Sequence, residues 1–262
     1  MPEAEWHLVP GEKYCSAIRS FSQGDRKFEL EYRTRDFSHN YRLVIRSSHR
    51  STWGLGITTR LAPYKDKSKS YAALRGHTAK GWIELNVLTR LAPKADSDGW
   101  GELIPRAELD QWLSEVESVE IVEGFGSDIV LATGRMDQVR LDLEDCLAKL
   151  VEQWGFDGET HRTLSEIARP KDTANFRSWF RGALREAGRD RDLLPAIDYR
   201  LTIDEQGRVV ECNTFESGEL QMTAQIACPT ILKYKRFKPA RAVDGAPIRS
   251  FYWANYLVNS GF

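Results

Sequence analysis

The sequence predicts an α+β fold, with a β-rich N-terminal domain that ends in a long helix and a small α+β domain after it. Apolar and polar residues alternate along several segments of the first half, which is typical of half-buried strands. Over residues 136–154 the apolar spacing changes to three and four residues, which indicates an amphipathic helix. A helix pattern, a hairpin pattern and an aromatic strand follow in residues 173–262.

The composition is that of an ordinary globular protein. The 262 residues are 41% hydrophobic and 29% charged, which suffices for a core in one or two domains. Lys and Arg number 37 and Asp and Glu 38, so the net charge is −1. This balance argues against nucleic acid or an anionic membrane as the main partner. The sequence has no run of about 18 apolar residues, so we expect no membrane insertion of this chain.

Local patterns predict the elements of the first half. A helix is expected over residues 106–117, and loops over 65–69 and 93–101. Alternation with aromatic and β-branched residues predicts strands over residues 28–32, 41–45, 53–57, 82–87, 119–122 and 128–131.

The domain boundary follows the long helix. This helix is expected from Met136 to Trp154, with Gly155 placed to end it in a left-handed conformation. The next residues are polar and include Pro170, so they are interpreted as a linker. The predicted domains are residues 1–158 and 173–262, with the linker over 159–172.

The second domain is expected to have the order helix, strand, strand, helix, strand. Its hairpin turn spans residues 204–207 and places Gly207 where a positive φ is needed. The second helix is expected to open at Ser217 and to reach about Tyr234. The first helix and the three strands are expected over residues 174–187, 197–203, 208–215 and 249–258.

The four cysteines are widely spaced and form no C-x-x-C pair. None lies near a histidine at metal-ligand spacing, so no zinc site and no other metal is expected. The even count fits either two disulfides or four buried thiols. Composition alone favours thiols, because a chain of this size needs no covalent staples. The cysteines are Cys15, Cys146, Cys212 and Cys228.

Recognised catalytic motifs are absent from the sequence. Ser217-Gly218 lacks a G-x-S-x-G frame, and no Walker loop is present. We therefore expect no cofactor and no enzymatic activity. The alternative is a hydrolase or other enzyme with its site in the cleft between the domains, because triads assemble from distant residues. The histidines show no catalytic spacing: His7, His39, His49, His77 and His161.

Three ordered motifs in the C-terminal domain carry a family resemblance. They are a strand–turn hairpin, a Ser-Gly helix start and a closing segment, over residues 200–209, 216–218 and 236–248. Together, across about residues 197–258, they resemble the TonB C-terminal domain family. The whole chain also resembles a two-domain architecture of hypothetical envelope proteins from sphingomonad-type bacteria. In that architecture a β-rich domain ends in a Cys-bearing helix, here with Cys146.

Departures from the family limit what the resemblance implies. The family usually has a Tyr-Pro pair before its first helix, whereas Trp179-Phe180 stands at the comparable place. Residues 189–195 resemble an insertion before the first strand. An energy transducer also needs a membrane anchor and a long Pro-rich spacer, and this sequence contains neither. The resemblance therefore implies a TonB-C-like fold and not the transducer function.

The resemblance gives the cysteines a structural role. We hypothesise one disulfide per domain, Cys15–Cys146 and Cys212–Cys228, with four buried thiols as the alternative. A strand packed on the helix that follows it can bring Cys212 and Cys228 to bridging distance. Disulfides form in the periplasm, where we expect the protein, its signal peptide removed from this chain; the alternative location is the cytoplasm.

The final strand is the candidate partner-binding site. The resemblance implies that its edge pairs with an extended peptide by strand addition. The alternative is that its rings only cover the sheet, or that the protein is a structural envelope component without a dedicated ligand. The expected function is periplasmic, non-enzymatic binding of a protein or extended peptide, as an adaptor. The aromatic residues of this edge are Phe251, Tyr252, Trp253 and Tyr256.

A basic run lies before the final strand. We interpret it as a solvated face near a helix C-terminus, where the helix dipole favours cations. An anion site or a site for an acidic partner is the alternative. The run comprises Lys233, Lys235, Arg236, Lys238 and Arg241.

Overall fold

The computed structural model describes residues 2, 5–48, 56–64, 67–71, 73–91, 103–123, 125, 127–186, 197–215, 228–234 and 236–256. The fold is α+β, as the sequence predicts. The chain divides into two compact units, residues 1–158 and 159–262. In the described part of the chain, no helix combines the length and the apolar character needed to cross a bilayer.

The first unit is built mostly from antiparallel strands. Its helices are α1 (Arg106–Ser114) and α2 (Asp137–Gln153). Its strands are β1 (His7–Pro10), β2 (Cys15–Gln23), β3 (Arg26–Thr34), β4 (Asn40–Ser47), β5 (Gly56–Ala62), β6 (Lys67–Tyr71), β7 (Ala73–His77), β8 (Ile83–Arg90), β9 (Ser118–Glu123) and β10 (Ile129–Leu131).

These strands form two sheets, with orders β1-β2-β3-β4-β8-β7 and β10-β9-β5-β6. The predicted loop over residues 65–69 is wrong in its described part, because Lys67 begins strand β6. β6 pairs with β5 at the edge of the smaller sheet, where alternating Lys and Ser are tolerated. Of the strand expected over 53–57, Gly56 and Ile57 are described and open β5. The loop expected over 93–101 lies outside the described residues.

The core of the first unit lies between the larger sheet and α2. Strand β3 buries Phe28, Leu30 and Tyr32 on one face, and α2 buries its apolar stripe. The disulfide Cys15–Cys146 joins the first residue of β2 to the middle of α2. Gly155 follows α2 with φ of 82°, as its C-terminal position predicts.

The second unit combines short helices with a three-stranded sheet and two small strand pairs. Its helices are α3 (Gly158–Arg162), which begins at the last residue of the first unit, and α4 (Thr173–Glu186). Its strands are β11 (Arg169–Pro170), β12 (Ile197–Ile203), β13 (Val209–Thr214), β14 (Phe237–Lys238), β15 (Ala240–Arg241), β16 (Pro247–Ile248) and β17 (Ser250–Tyr256).

The segment expected as a linker, residues 159–172, forms secondary structure in the second unit. It contains most of α3, and β11 pairs antiparallel with β14. Backbone bonds on both sides extend this pairing: Lys171 donates to the carbonyl of Arg236, and Arg241 donates to that of Glu166. Pro170 is compatible with this pairing because the strand is only two residues long and lies in a two-stranded sheet.

The main sheet of the second unit has the order β13-β12-β17, so the last strand returns beside the first. The hairpin turn lies at residues 204–207, and Gly207 has a φ of 77°. The helix expected from Ser217 is described only from residue 228, with a helical turn over 228–231. An aromatic cluster fills the space beside the sheet: Phe176, Trp179, Tyr234, Phe237 and Tyr252.

Candidate functional site

Strand β17 presents a long, regular backbone edge. All seven of its residues pair with β12, from Ser250 opposite Ile203 to Tyr256 opposite Ile197, without a register shift. On its other side β17 has no partner strand among the described residues. An edge of this kind carries a row of N–H and C=O groups that can pair with a further extended segment.

The opposite edge of the same sheet, β13, is less suited to strand addition. Its register against β12 shifts between Thr202 and Ile203, which leaves Val210 as an extra, bulged residue. Bulges disturb the ladder and protect sheet edges from further pairing. A disulfide also fixes β13, because Cys212 is bonded to Cys228 beyond the strand.

The first two aromatic residues of β17 anchor the strand to its own unit. Tyr252 turns toward the aromatic cluster, with ring centroids 5.2 Å from Phe237 and 5.7 Å from Phe176. Phe251 is 5% exposed and stacks on the imidazole of His161 at 5.7 Å. The two side chains alternate in direction, as successive residues of a strand do.

Trp253 also contacts residues of the second unit. Its ring lies 5.2 Å from that of Phe215, over which the guanidinium of Arg200 sits at 5.5 Å. For Tyr256 the structure gives the backbone position, opposite Ile197. The three described rings therefore help to hold the strand in its unit.

A charged turn fixes the end of β12 that lies opposite the start of β17. Oδ1 of Asp204 accepts hydrogen bonds from the N–H groups of Gln206 (3.0 Å) and Arg208 (2.8 Å), and Oδ2 accepts one from Nε of Arg208. Burial opposes the ionisation of this carboxylate, but the hydrogen bonds and the charge of Arg208 outweigh it and lower the pKa of Asp204. The carboxylate is therefore ionised at neutral pH, where it accepts all three hydrogen bonds of the turn.

Both hypothesised disulfides are present in the structure, with Cα–Cα distances of 6.1 Å for Cys15–Cys146 and 5.7 Å for Cys212–Cys228. The first is buried within its unit, whereas Cys212 and Cys228 are half-buried. Disulfides are typical of oxidising compartments and rare in the reducing cytosol.

Two of the described histidines are buried and two are exposed. Nε2 of His39 accepts a hydrogen bond from the N–H of Ile104 (2.8 Å), and His161 lies under Phe251. His7 and His77 are exposed at strand ends. Across the described ranges no group of three or more His, Cys, Asp and Glu is placed to hold a metal ion. His49 and Ser217 lie outside the described residues.

A charged network on the outer face of the larger sheet was not anticipated from the sequence. The buried carboxylate of Glu31 accepts hydrogen bonds from Ser16 (2.6 Å), Arg33 and Arg46. Arg46 also pairs with Glu29 and Glu84 on the two neighbouring strands. One signal in the sequence could have predicted this network. Charged residues occupy alternate positions of β3, which places them on one face of the strand: Glu29, Glu31 and Arg33.

The basic run is divided by the fold. Arg241 pairs with Glu166 at 3.7 Å and donates to the carbonyl of Gly245, and Lys235 lies outside the described residues. Arg236 and Lys238 instead lie opposite Lys171 and Arg169 of the segment expected as a linker. The sequence could not place these four cations together, because the two strands are far apart along the chain.

No protein-family model, curated protein or solved structure matches this chain.

Proposed function

We propose that this protein is a periplasmic, non-enzymatic binding protein that captures an extended segment of a protein or peptide along strand β17. The captured segment adds to the sheet as a fourth strand beside β17. Main-chain hydrogen bonds give the affinity, and side chains at alternate positions of the partner give the specificity.

The observation that carries this proposal is the difference between the two edges of one sheet. β17 pairs over seven residues in continuous register, whereas β13 is bulged at Val210 and tied through Cys212. Natural proteins usually shorten, bulge or cover their sheet edges, because a long regular edge invites pairing. A long edge that is left regular beside one that is bulged supports a role in binding.

Two further points support the proposal. Residues 197–258 resemble the TonB C-terminal domain family, and β12, β13, a helical turn and β17 occur in the expected order, with the short strands β14, β15 and β16 between the turn and β17. The two disulfides fit an oxidising compartment, and for this chain the periplasm is the one that the resemblance favours.

The test uses proline to block the edge. Consecutive N–H groups of a strand alternate in direction, so of Ala254 and Asn255 one donates toward β12 and the other points away. Ala254→Pro and Asn255→Pro are therefore made as a pair in the full chain. We expect one variant to lose thermal stability and the other to stay folded, because only one removes a bond within the sheet.

The variant that stays folded is then compared with the wild type. Extended peptides selected from a displayed library on the wild type should lose binding to it. In hydrogen exchange, the selected peptides should slow the amides of β17 and leave those of β13 unchanged. Retained binding to the folded proline variant, or protection of β13 instead of β17, contradicts the proposal.

A further inference from the structure

The strand pair β11–β14 places four cations on one face. Arg169 lies opposite Lys238, and the N–H of Lys171 donates to the carbonyl of Arg236 at 2.8 Å, which continues the register. Residues directly opposite each other in an antiparallel pair point to the same side, as do residues two apart along one strand. Arg169, Lys171, Arg236 and Lys238 therefore form a two-by-two array, which we call the basic patch.

The basic patch faces away from the core of its unit. The residues between the cations, Pro170 and Phe237, are buried on the opposite side, and Phe237 is fully buried in the aromatic cluster. Lys171, Arg236 and Lys238 are exposed, and Arg169 is half-buried. The cations are thus presented on a short, well-anchored strand pair.

The charges of the basic patch are not balanced by the described residues. None of the four cations forms an ion pair with a described carboxylate, and the buried Nε of Arg169 has no hydrogen-bond partner there. Asp172, next to Lys171 in the chain, accepts bonds from the backbone and side chain of Asn175 at the start of α4. Like charges directly opposite each other destabilise a strand pair. An anion bound between the cations would offset this repulsion and so stabilise the strand pair.

The spacing of the basic patch matches an extended acidic peptide. The Cβ atoms of neighbouring patch residues are about 7 Å apart along each strand and about 5 Å apart across the pair. In an extended chain, alternate side chains also point to one side at about 7 Å intervals. Each cross-strand pair contains one Arg and one Lys, so each carboxylate would meet a bidentate guanidinium and an ammonium.

We propose that the basic patch binds an extended polypeptide segment with acidic residues at alternate positions. The site is separate from the β17 edge and does not depend on strand addition there. An anionic membrane is the less favoured partner, because its attraction acts only within about a Debye length and the basic patch offers four cations, the low end of the clusters that bind anionic lipids.

The test measures binding of the full chain to two labelled peptides by fluorescence anisotropy. One peptide alternates Thr and Glu, and the other alternates Thr and Gln. We expect the Glu peptide to bind at low salt and to weaken as salt is raised, and the Gln peptide not to bind. The double variant Lys171→Gln/Lys238→Gln should bind the Glu peptide with about tenfold lower affinity, which is the loss expected from two exposed ion pairs.

Controls separate the basic patch from general charge and from the β17 edge. Lys27→Gln/Lys149→Gln removes two exposed lysines of the first unit and should leave the affinity unchanged. The folded proline variant of β17 should also bind the Glu peptide normally; a loss there would move the site to β17 and overturn this proposal. Equal binding of the Gln peptide, no effect of Lys171→Gln/Lys238→Gln, or binding only to vesicles containing phosphatidylserine would overturn it too.

Discussion

Gly207 meets two demands in the C-terminal hairpin that no other residue satisfies together. Its φ is 77°, a conformation that side chains disfavour. A Cβ at this position would lie 2.2 Å from the carbonyl oxygen of Phe237, whose N–H donates to the carbonyl of Gly207 at 3.2 Å. The backbone of the turn thus contacts the backbone of β14, the strand on the side of the pair that carries Arg236 and Lys238.

We expect Gly207→Ala to lower the free energy of unfolding by about 3 kcal/mol or more, because strain and overlap with rigid backbone combine. Gly245→Ala is the matched control, since Gly245 has a φ of 82° but a Cβ added there would meet nothing within 4 Å. Gly245→Ala should lower the free energy of unfolding by about 1–2 kcal/mol, because it adds backbone strain alone. Urea unfolding followed by tryptophan fluorescence measures both, and equal losses would contradict the close approach.

Glu31 is the residue on which the charged network of the larger sheet converges. Burial alone would raise its pKa, but hydrogen bonds from Arg33 and Ser16 and the charges of Arg33 and Arg46 outweigh burial and lower the pKa. A depressed pKa in the folded state means that the ionised form stabilises the fold above the unfolded pKa of about 4.3. This stabilisation is lost as the pH falls through the lower, folded pKa.

Glu31→Gln should therefore reduce stability at pH 7 by about 2–4 kcal/mol, because two half-buried arginines lose a shared carboxylate. The difference from the wild type should shrink as the pH falls below about 4. Glu29→Gln, which removes one bond from a more exposed carboxylate, should cost about 1 kcal/mol or less. Unfolding curves measured across pH 3–7 test this, and a pH-independent loss in Glu31→Gln would argue against the lowered pKa.

Local periodicity predicted the helices and strands whose own residues show a clear apolar pattern. The apolar stripe of α2 and the alternation of β12 gave their bounds to within a residue. β11 was missed because this short segment becomes a strand only through β14, which is distant in the chain. β6 was missed because its alternating Lys and Ser carry no apolar pattern, although it forms a hairpin with the neighbouring strand β5. Pairing across the chain is not encoded in the local pattern.

The same limit applies to the candidate sites. The sequence identified three aromatic residues of β17 as a candidate site because they cluster in one strand: Phe251, Tyr252 and Trp253. The two cysteine pairs were predicted through the family resemblance. That β17 is an edge depends on the strand order of the sheet, which alternation does not determine. The basic patch depends on the register of β11 against β14 and was out of reach for the same reason.

The two disulfides differ in accessibility, which predicts the order of their reduction. Cys15 is 0% and Cys146 is 7% exposed, whereas Cys212 and Cys228 are half-buried. A mild dithiol should open Cys212–Cys228 first, because thiolate attack needs access to a sulfur atom. Alkylation and peptide mapping over a time course measure this order. Simultaneous reduction in the native protein would contradict it, and urea-unfolded protein serves as the control in which the difference should vanish.

The second unit begins at residue 159, directly after the first. Residues 159–262 contain their own sheet, aromatic cluster and disulfide, which are the parts that an independently folding domain needs. A fragment that starts at residue 159 should therefore fold when it is produced under oxidising conditions. The sequence alone placed the start of this domain at residue 173, after the expected linker.

A fragment over residues 173–262 should be less stable than one over 159–262. It lacks β11, so the main-chain bonds to β14 are lost and the buried Phe237 loses the strand beside it. It also lacks His161, which stacks on Phe251 of β17. These losses should lower the melting temperature by about 10 °C or more, since about 2 kcal/mol corresponds to such a shift in a domain of this size. Thermal unfolding of both oxidised fragments by circular dichroism measures the difference. Equal melting temperatures would show that residues 159–172 add nothing to the stability of the unit. The pairing of β11 with β14, which sets the spacing of the basic patch, would then have no measurable strength.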